Sequence, residues 1–103
     1  MYQKTSFYCH CYGLLSQVPA GRVTTYKALA EALGTKAYQA VGRAMNQNPN
    51  PIEVPCHRVV NADGRLGGYV MGQQQKQRLL EEEGICIQSG KIQDFKDKLV
   101  IFE

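Results

Sequence analysis

Cys56 stands between Pro55 and the consecutive pair His57-Arg58. The thiolate, not the thiol, is the nucleophile, and a free cysteine ionises at roughly pH 8.5, so a neighbouring cation or histidine is what makes sulfur attack feasible at neutral pH. His57 and Arg58 supply both. Taken alone, the same tetrapeptide is also compatible with a packed cysteine beside surface charge, because buried free cysteine is common. Cys9 and Cys11 flank His10, but no second Cys/His pair follows at metal-binding spacing, so no zinc site and no metal are expected. Cys86 is isolated, and reduced thiols are the expectation in a chain that needs no disulfide framework and shows no export signal.

The elements that must position this cysteine belong to one domain. The chain has 103 residues, 44% of them hydrophobic and 20% charged, enough for one core and too few for two. No apolar run approaches the about 20 residues that span a bilayer, and Met1 to Ser6 lacks the apolar centre of a signal peptide. A membrane-spanning or conventionally secreted class is excluded on these grounds, and the cytoplasm is the expected location. The net charge of +3 is unevenly placed. Arg22, Lys27, Lys36, Arg43 and Arg58 face only Glu31 and Glu53 across residues 20–58, whereas residues 81–103 carry an acidic excess. A polyanion partner and an ordinary solvated face both fit that imbalance.

Phe7, Cys11, Leu14, Leu15 and Val18 recur at helical spacing, and Pro19-Ala20-Gly21 ends the pattern. A second helix is expected over Tyr26–Leu33, capped by Thr24 or Thr25 and ended by Gly34. A third is expected over Lys36–Met45, capped by Thr35, with Ala37, Val41, Ala44 and Met45 inward and Lys36, Gln39, Arg43 and Gln47 outward. Two short helices joined by Gly-Thr read as a helix-turn-helix. Gly42 inside the third helix costs about 1 kcal/mol relative to alanine, which suggests that something approaches the backbone there. Asn48-Pro49-Asn50-Pro51 breaks the helix. Ile52 to Val60, with the Asp63-Gly64 turn signal after it, predicts a wing-like hairpin. Gln73 to Glu83 predicts a helix closed by Gly84, and Ile85 to Phe102 a small surface hairpin around Ser89-Gly90.

Pro55-Cys56-His57-Arg58-Val59-Val60, preceded by Ala40-Val41-Gly42-Arg43-Ala44-Met45 and by Asn48-Pro49, resembles the active-site region of the O6-alkylguanine-DNA alkyltransferases, the methylated-DNA–protein-cysteine methyltransferases. The likeness runs from about residue 5 to 87, leaving 88–103 as a carboxy-terminal extension, and it covers the catalytic domain alone. It implies a mainly α fold with small β-hairpins, a winged helix-turn-helix-like alkyltransferase domain. It implies a monomer acting on double-stranded DNA that contains O6-alkylguanine, nucleoid-associated when bound, with no cofactor. Cys56 becomes the alkyl acceptor in single-turnover repair, and His57 deprotonates it through a water. Glu83 orients the histidine and Tyr26 hydrogen-bonds the extruded guanine. Asn48, Met45, Val59, Tyr69 and Val70 are assigned to the base pocket and its hinge, and Thr25, Lys36, Gln39, Ala40, Gly42, Arg43 and Arg58 to DNA contact.

Two positions depart from the resemblance. Gln39 occupies the place of an arginine that enters the duplex where the extruded nucleotide was, and brings no charge to it. Met71 stands where relatives often have glycine, which alters the pocket's size. Two other functions compete with transfer. Non-catalytic alkyltransferase-like proteins recognise the lesion but replace the acceptor cysteine, typically by tryptophan, whereas Cys56 is present here. A winged-helix regulator would read bases through the third helix, where Ala40 and Gly42 are poor readers.

Overall fold

Helix α1 (Lys4–Leu15) buries Cys11 and Leu15, and the turn after it buries Val18. The computed structural model describes residues 4–48, 54–69 and 71–102, and in them no helix is long and apolar enough to cross a membrane. The Tyr12 hydroxyl donates to the Ala44 carbonyl at 2.8 Å, which fastens α1 to the third helix.

Strand β1 (Thr24–Thr25) leads directly into α2 (Tyr26–Ala32). Thr25 is the extended N-cap residue, and its hydroxyl accepts the Ala28 amide. At the other end Gly34 adopts a φ of 72°, and the amides of Gly34 and Thr35 donate to Glu31 and Ala30. That pair of bonds satisfies carbonyls that the last turn would otherwise leave orphaned.

Helix α3 runs Tyr38–Asn46 and so begins two residues later than the expected Lys36. The Thr35 hydroxyl accepts the Ala37 amide, closing a local turn instead of capping α3, and Ala37 is exposed in place of facing inward. Val41, Ala44 and Met45 form the buried face as the spacing requires, while Lys36, Gln39, Arg43 and Gln47 are exposed.

The expected wing is corrected. Cys56–Arg58 form one turn of 3₁₀ helix, and β2 (Val59–Val60) pairs in parallel with β1, Thr24 opposite Val59 and Thr25 opposite Val60. Residues 52–53 of the expected hairpin lie outside the described residues. Burial explains the pairing: Val59 belongs to the core cluster of α1, α2 and α3, and Val60 to a second cluster with Leu66, Leu80, Ile85 and Ile92. A strand buried on both faces suits a parallel partner, whereas a wing would expose one face. The Asp63-Gly64 turn does form, but its second arm joins a different element, with the Leu66 amide donating to Gly90 and Ile92 donating back to Gly64.

Helix α4 (Gln73–Glu82) ends with Glu83 as the cap residue and Gly84 at φ 90°. The Gly84 and Ile85 amides donate to Glu81 and Leu80, the same closure seen at α2. Strands β3 (Ile87–Gln88) and β4 (Lys91–Ile92) form the expected hairpin, joined by Ser89 and Gly90, both with positive φ. Beyond α5 (Phe95–Lys98) the chain does not stay apart on the surface. The Val23 amide donates to Lys98, Val100 donates to Val23, and the Thr24 hydroxyl donates to Val100, so the carboxy-terminal segment is stitched along β1.

Because Thr25 both caps α2 and precedes Tyr26, Thr25→Ala is expected to lower stability by about 1 kcal/mol, with Thr25→Ser retaining most of it. Urea unfolding midpoints of the two variants measure this; an unchanged alanine variant would mean that the cap contributes nothing.

Candidate active site

Parallel pairing of β1 with β2 sets the start of α2 beside the turn that carries Cys56. The 3₁₀ turn makes Cys56 and His57 nearly solvent-free, at 2% and 1% exposure. Arg58 uses its guanidinium as a clamp: Nε donates to Glu83 Oε1 at 2.9 Å, Nη2 to Oε2 at 2.6 Å, and Nη1 to the Val18 carbonyl at 2.8 Å. The geometry is the bidentate fork that makes arginine–carboxylate pairs strong. It also corrects an expectation, since a guanidinium bonded in this way is not presented to phosphates.

Glu83 Oε2 lies 2.9 Å from His57 Nε2. Burial alone would raise the Glu83 carboxyl, but hydrogen bonds and charges from Arg58 and His57 outweigh it and hold the group below its ordinary value. An ionised Glu83 accepts a proton-bearing Nε2, which leaves Nδ1 as the lone-pair nitrogen of the neutral ring. Nδ1 is buried and has no hydrogen-bond partner among the described residues. Burial pushes the His57 pKa down, with Glu83 opposing and the Arg58 and Lys76 charges assisting, so the ring is neutral at pH 7.

Burial also pushes the Cys56 thiol up. Hydrogen bonds from Asn48 and Tyr69 and the charge of Lys76 pull it partly back. The resting pair is therefore a protonated thiol beside a neutral imidazole, an arrangement in which ionisation occurs on demand. Asn48 is buried and donates from Nδ2 to the Val54 carbonyl at 2.8 Å, tying the end of α3 to the segment entering the turn.

Lys76 is a buried charge beside the site that its residue type does not announce. It is fully buried on α4, and its ammonium donates to the Leu66 carbonyl and, at 2.9 Å, to that of Gly68. It lies 6.0 Å from the centre of the Tyr26 ring. Gln73 donates to Gly67, and the Tyr26 hydroxyl reaches Gly68 at 3.5 Å. Four hydrogen bonds from three side chains thus fix the glycine-rich loop ahead of α4. An inward position on α4, one helical turn after Gly72, was the available signal, but a lysine in a glutamine-rich helix reads as solvated.

The remaining assignments separate cleanly. Tyr69 is half-buried with its ring edge-on to His57 at 6.4 Å, and burial followed by the neighbouring Cys56 charge pushes its hydroxyl up to about 12. Met45 and Val59 are packed in the same core cluster as Cys56. Val70 lies outside the described residues. Lys36, Gln39 and Arg43 are exposed on α3, and Ala40 and Gly42 are partly exposed beside them. A methyl group added at Gly42 would meet nothing within 4 Å, so no internal contact demands glycine there. Thr25, expected at the DNA, is 5% exposed and occupied as a cap. Among the described residues no three histidine, cysteine or carboxylate side chains gather to hold a metal.

Residues 6–85 match the family model for the DNA-binding domain of 6-O-methylguanine DNA methyltransferase. A methylated-DNA–protein-cysteine methyltransferase of Methanosarcina acetivorans is 45% identical over 83 residues, covering 80% of this chain and 53% of the relative. The chain spans about half the length, or less, of the curated relatives it matches. Mycobacterium tuberculosis OGT, solved in complex with DNA, superposes with a TM-score of 0.72 at 41% identity over 75% of this chain and 48% of that one. S. pombe Atl1, solved in complex with damaged DNA containing O6-carboxymethylguanine, superposes with a TM-score of 0.80 at 29% identity over 97% of this chain and 98% of that one.

Burial holds the Lys76 pKa down to about 8. The unfolded chain, with an ordinary lysine near 10.5, therefore binds more protons than the folded one between those values, and stability gains with rising pH across that window. The stability of the wild type relative to Lys76→Met is expected to rise from about pH 8 to 10.5, read by denaturant titration at several pH values. A constant difference would mean that Lys76 titrates as a surface group.

Proposed function

The chain belongs to the 6-O-methylguanine DNA methyltransferase family through its DNA-binding domain, and from that premise we propose that it repairs O6-alkylguanine in duplex DNA by moving the alkyl group to Cys56. The observation that carries this reading is the buried Cys56-His57 turn backed by the Glu83 and Arg58 clamp. An O6 atom inside the stack is out of reach, so the guanine is first extruded, at a cost of a few kcal/mol that is smaller for a poorly paired lesion. Tyr26, between α3, the recognition helix of this reading, and the loop held by Lys76, contacts the extruded base. His57 takes the Cys56 proton at Nδ1 through a water, and Glu83 stabilises the imidazolium that results. The sulfur forms a bond to the alkyl carbon as the carbon–O6 bond breaks. Guanine leaves with that electron pair and takes up a proton, which balances the one lost by the thiol. The thioether is not readily cleaved, so each molecule acts once, as a monomer and without a cofactor.

The likeness to Atl1 over nearly the whole chain supports a second reading, lesion recognition without transfer. Cys56 and its neutral base would then be idle, and intact-mass measurement after incubation with an O6-methylguanine oligonucleotide separates the two. A gain of one methyl group, mapped to Cys56, is the expected outcome; modification of Cys9, Cys11 or Cys86 with Cys56 untouched would overturn the assignment.

Lys27, Lys36 and Arg43 are exposed near the recognition helix, while Ala40 and Gly42 offer no base-reading groups. Affinity for undamaged duplexes is expected to fall steeply with salt and to differ little between unrelated sequences. Titrations of two such duplexes at several salt concentrations check this, and a strong preference for one would favour a sequence-specific regulator.

A further inference from the structure

Only three large hydrophobic side chains are exposed among the described residues: Tyr38, Met71 and Ile101. Met71 follows the base-pocket loop and Ile101 lies near the carboxy terminus. Tyr38 is the first residue of α3 and is 43% exposed, and among the described residues its side chain has no hydrogen bond and stacks on no other ring.

Its placement is that of a ridge. On one side Tyr38 lines a depression of about 570 Å³ with Tyr26, Lys27, Gln39, Gly42 and Asn61. On the other it lines a second depression of about 380 Å³ with Glu31, Thr35 and Lys36. Gly42 is four residues further along α3, on the same face, and among the described residues a methyl group added there would meet nothing within 4 Å. An aromatic ring thus projects next to a bare stretch of helix backbone. The first depression carries Lys27 and no carboxylate, whereas Lys36 is balanced by Glu31 in the second. Because Tyr26 lines the first depression as well, the ridge is continuous with the site of base capture.

We propose that Tyr38 enters the base stack when the guanine is extruded, filling the gap that Gln39 is too weakly stacking to hold. The inference rests on the base-extruding reading above. Removing a base leaves its neighbours without a stacking partner, and proteins that open the stack insert apolar or aromatic side chains into the step. A tyrosine ring stacks on any base, so the insertion requires no sequence preference. Bare backbone at Gly42 lets the strand come close enough for the ring to reach inward, and Lys27 meets the phosphates beside it. Gln39, one residue on, is left to hydrogen-bond a base edge.

Two measurements test this. In the first, Cys56→Ser protein is bound to a duplex in which 5-iodouracil is the neighbour of O6-methylguanine in the same strand and irradiated, because that base crosslinks to an aromatic ring stacked on it; mapping is expected to place the adduct on Tyr38. In the second, single-turnover rates are compared on the same lesion in duplex DNA and on free O6-benzylguanine, which needs no extrusion. Tyr38→Ala is expected to slow duplex repair by about tenfold or more with the free-base rate within about twofold, while Tyr38→Phe stays near wild type. An adduct elsewhere together with wild-type duplex repair by Tyr38→Ala would overturn the proposal, as would equal slowing of both substrates, which would mean that the residue supports the fold of the site. Wild-type protein that forms no thioether with either substrate, yet crosslinks through Tyr38, would overturn the transfer reading and leave the inserted ring standing.

Discussion

The carboxylate of Glu83 is shared by His57 and Arg58, and three parts of the chain converge on that one group. Arg58 brings the turn that carries Cys56 and, through the Val18 carbonyl, the end of α1. Glu83 brings the end of α4, where the Gly84 closure stops the helix one residue before its carboxylate would be carried away. Burying a carboxylate is tolerable only when it is fully hydrogen-bonded and paired, and the Arg58 fork supplies that. The same pairing lets Glu83 hold the His57 tautomer without protonating the ring. Structure and acid–base chemistry therefore depend on the same four oxygen–nitrogen contacts.

A second constraint is the buried ammonium whose charge acts on Cys56. Among the described residues Lys76 has no carboxylate partner, and it is held by main-chain carbonyls, an uncommon way to bury an ammonium. Its charge moderates the rise in the thiol pKa, and its hydrogen bonds fix the loop against which Tyr26 is set. Burial and charge thus oppose one another at Cys56. The outcome is a thiol that is stable in its protonated form until a base is in reach, as the proposed single transfer requires.

Contiguous chemistry was legible in the sequence, and chemistry assembled from distant segments was less so. Cys56, His57 and Arg58 are neighbours in the chain, and the four longer helices were visible through their spacing and end signals, whereas α5 was not. The parallel pairing of residues 24–25 with 59–60 was not, because two-residue strands carry no periodicity and the Asp63-Gly64 turn suggested a local partner instead. Arg58 read as a phosphate contact because a sequence does not display the carboxylate 25 residues away that claims it. Thr25 read as a surface hydroxyl for a similar reason, since its burial follows from β1 and from the carboxy-terminal segment laid beside that strand. Lys76 was hidden by its type: a lysine on a helix is almost always solvated, and only the loop carbonyls it meets make it otherwise.

The chemistry of the site depends on the resting state of Cys56, and the thiolate absorbance of the protein as a function of pH, taken as the difference between wild type and Cys56→Ser, reads that state directly. Burial that outweighs the neighbouring hydrogen bonds and the Lys76 charge predicts a thiolate that appears only above the ordinary thiol pKa, with no signal at pH 7. A thiolate already present at pH 6, with His57 carrying the proton, would contradict it and would make the site a preformed ion pair instead of a base that acts on demand.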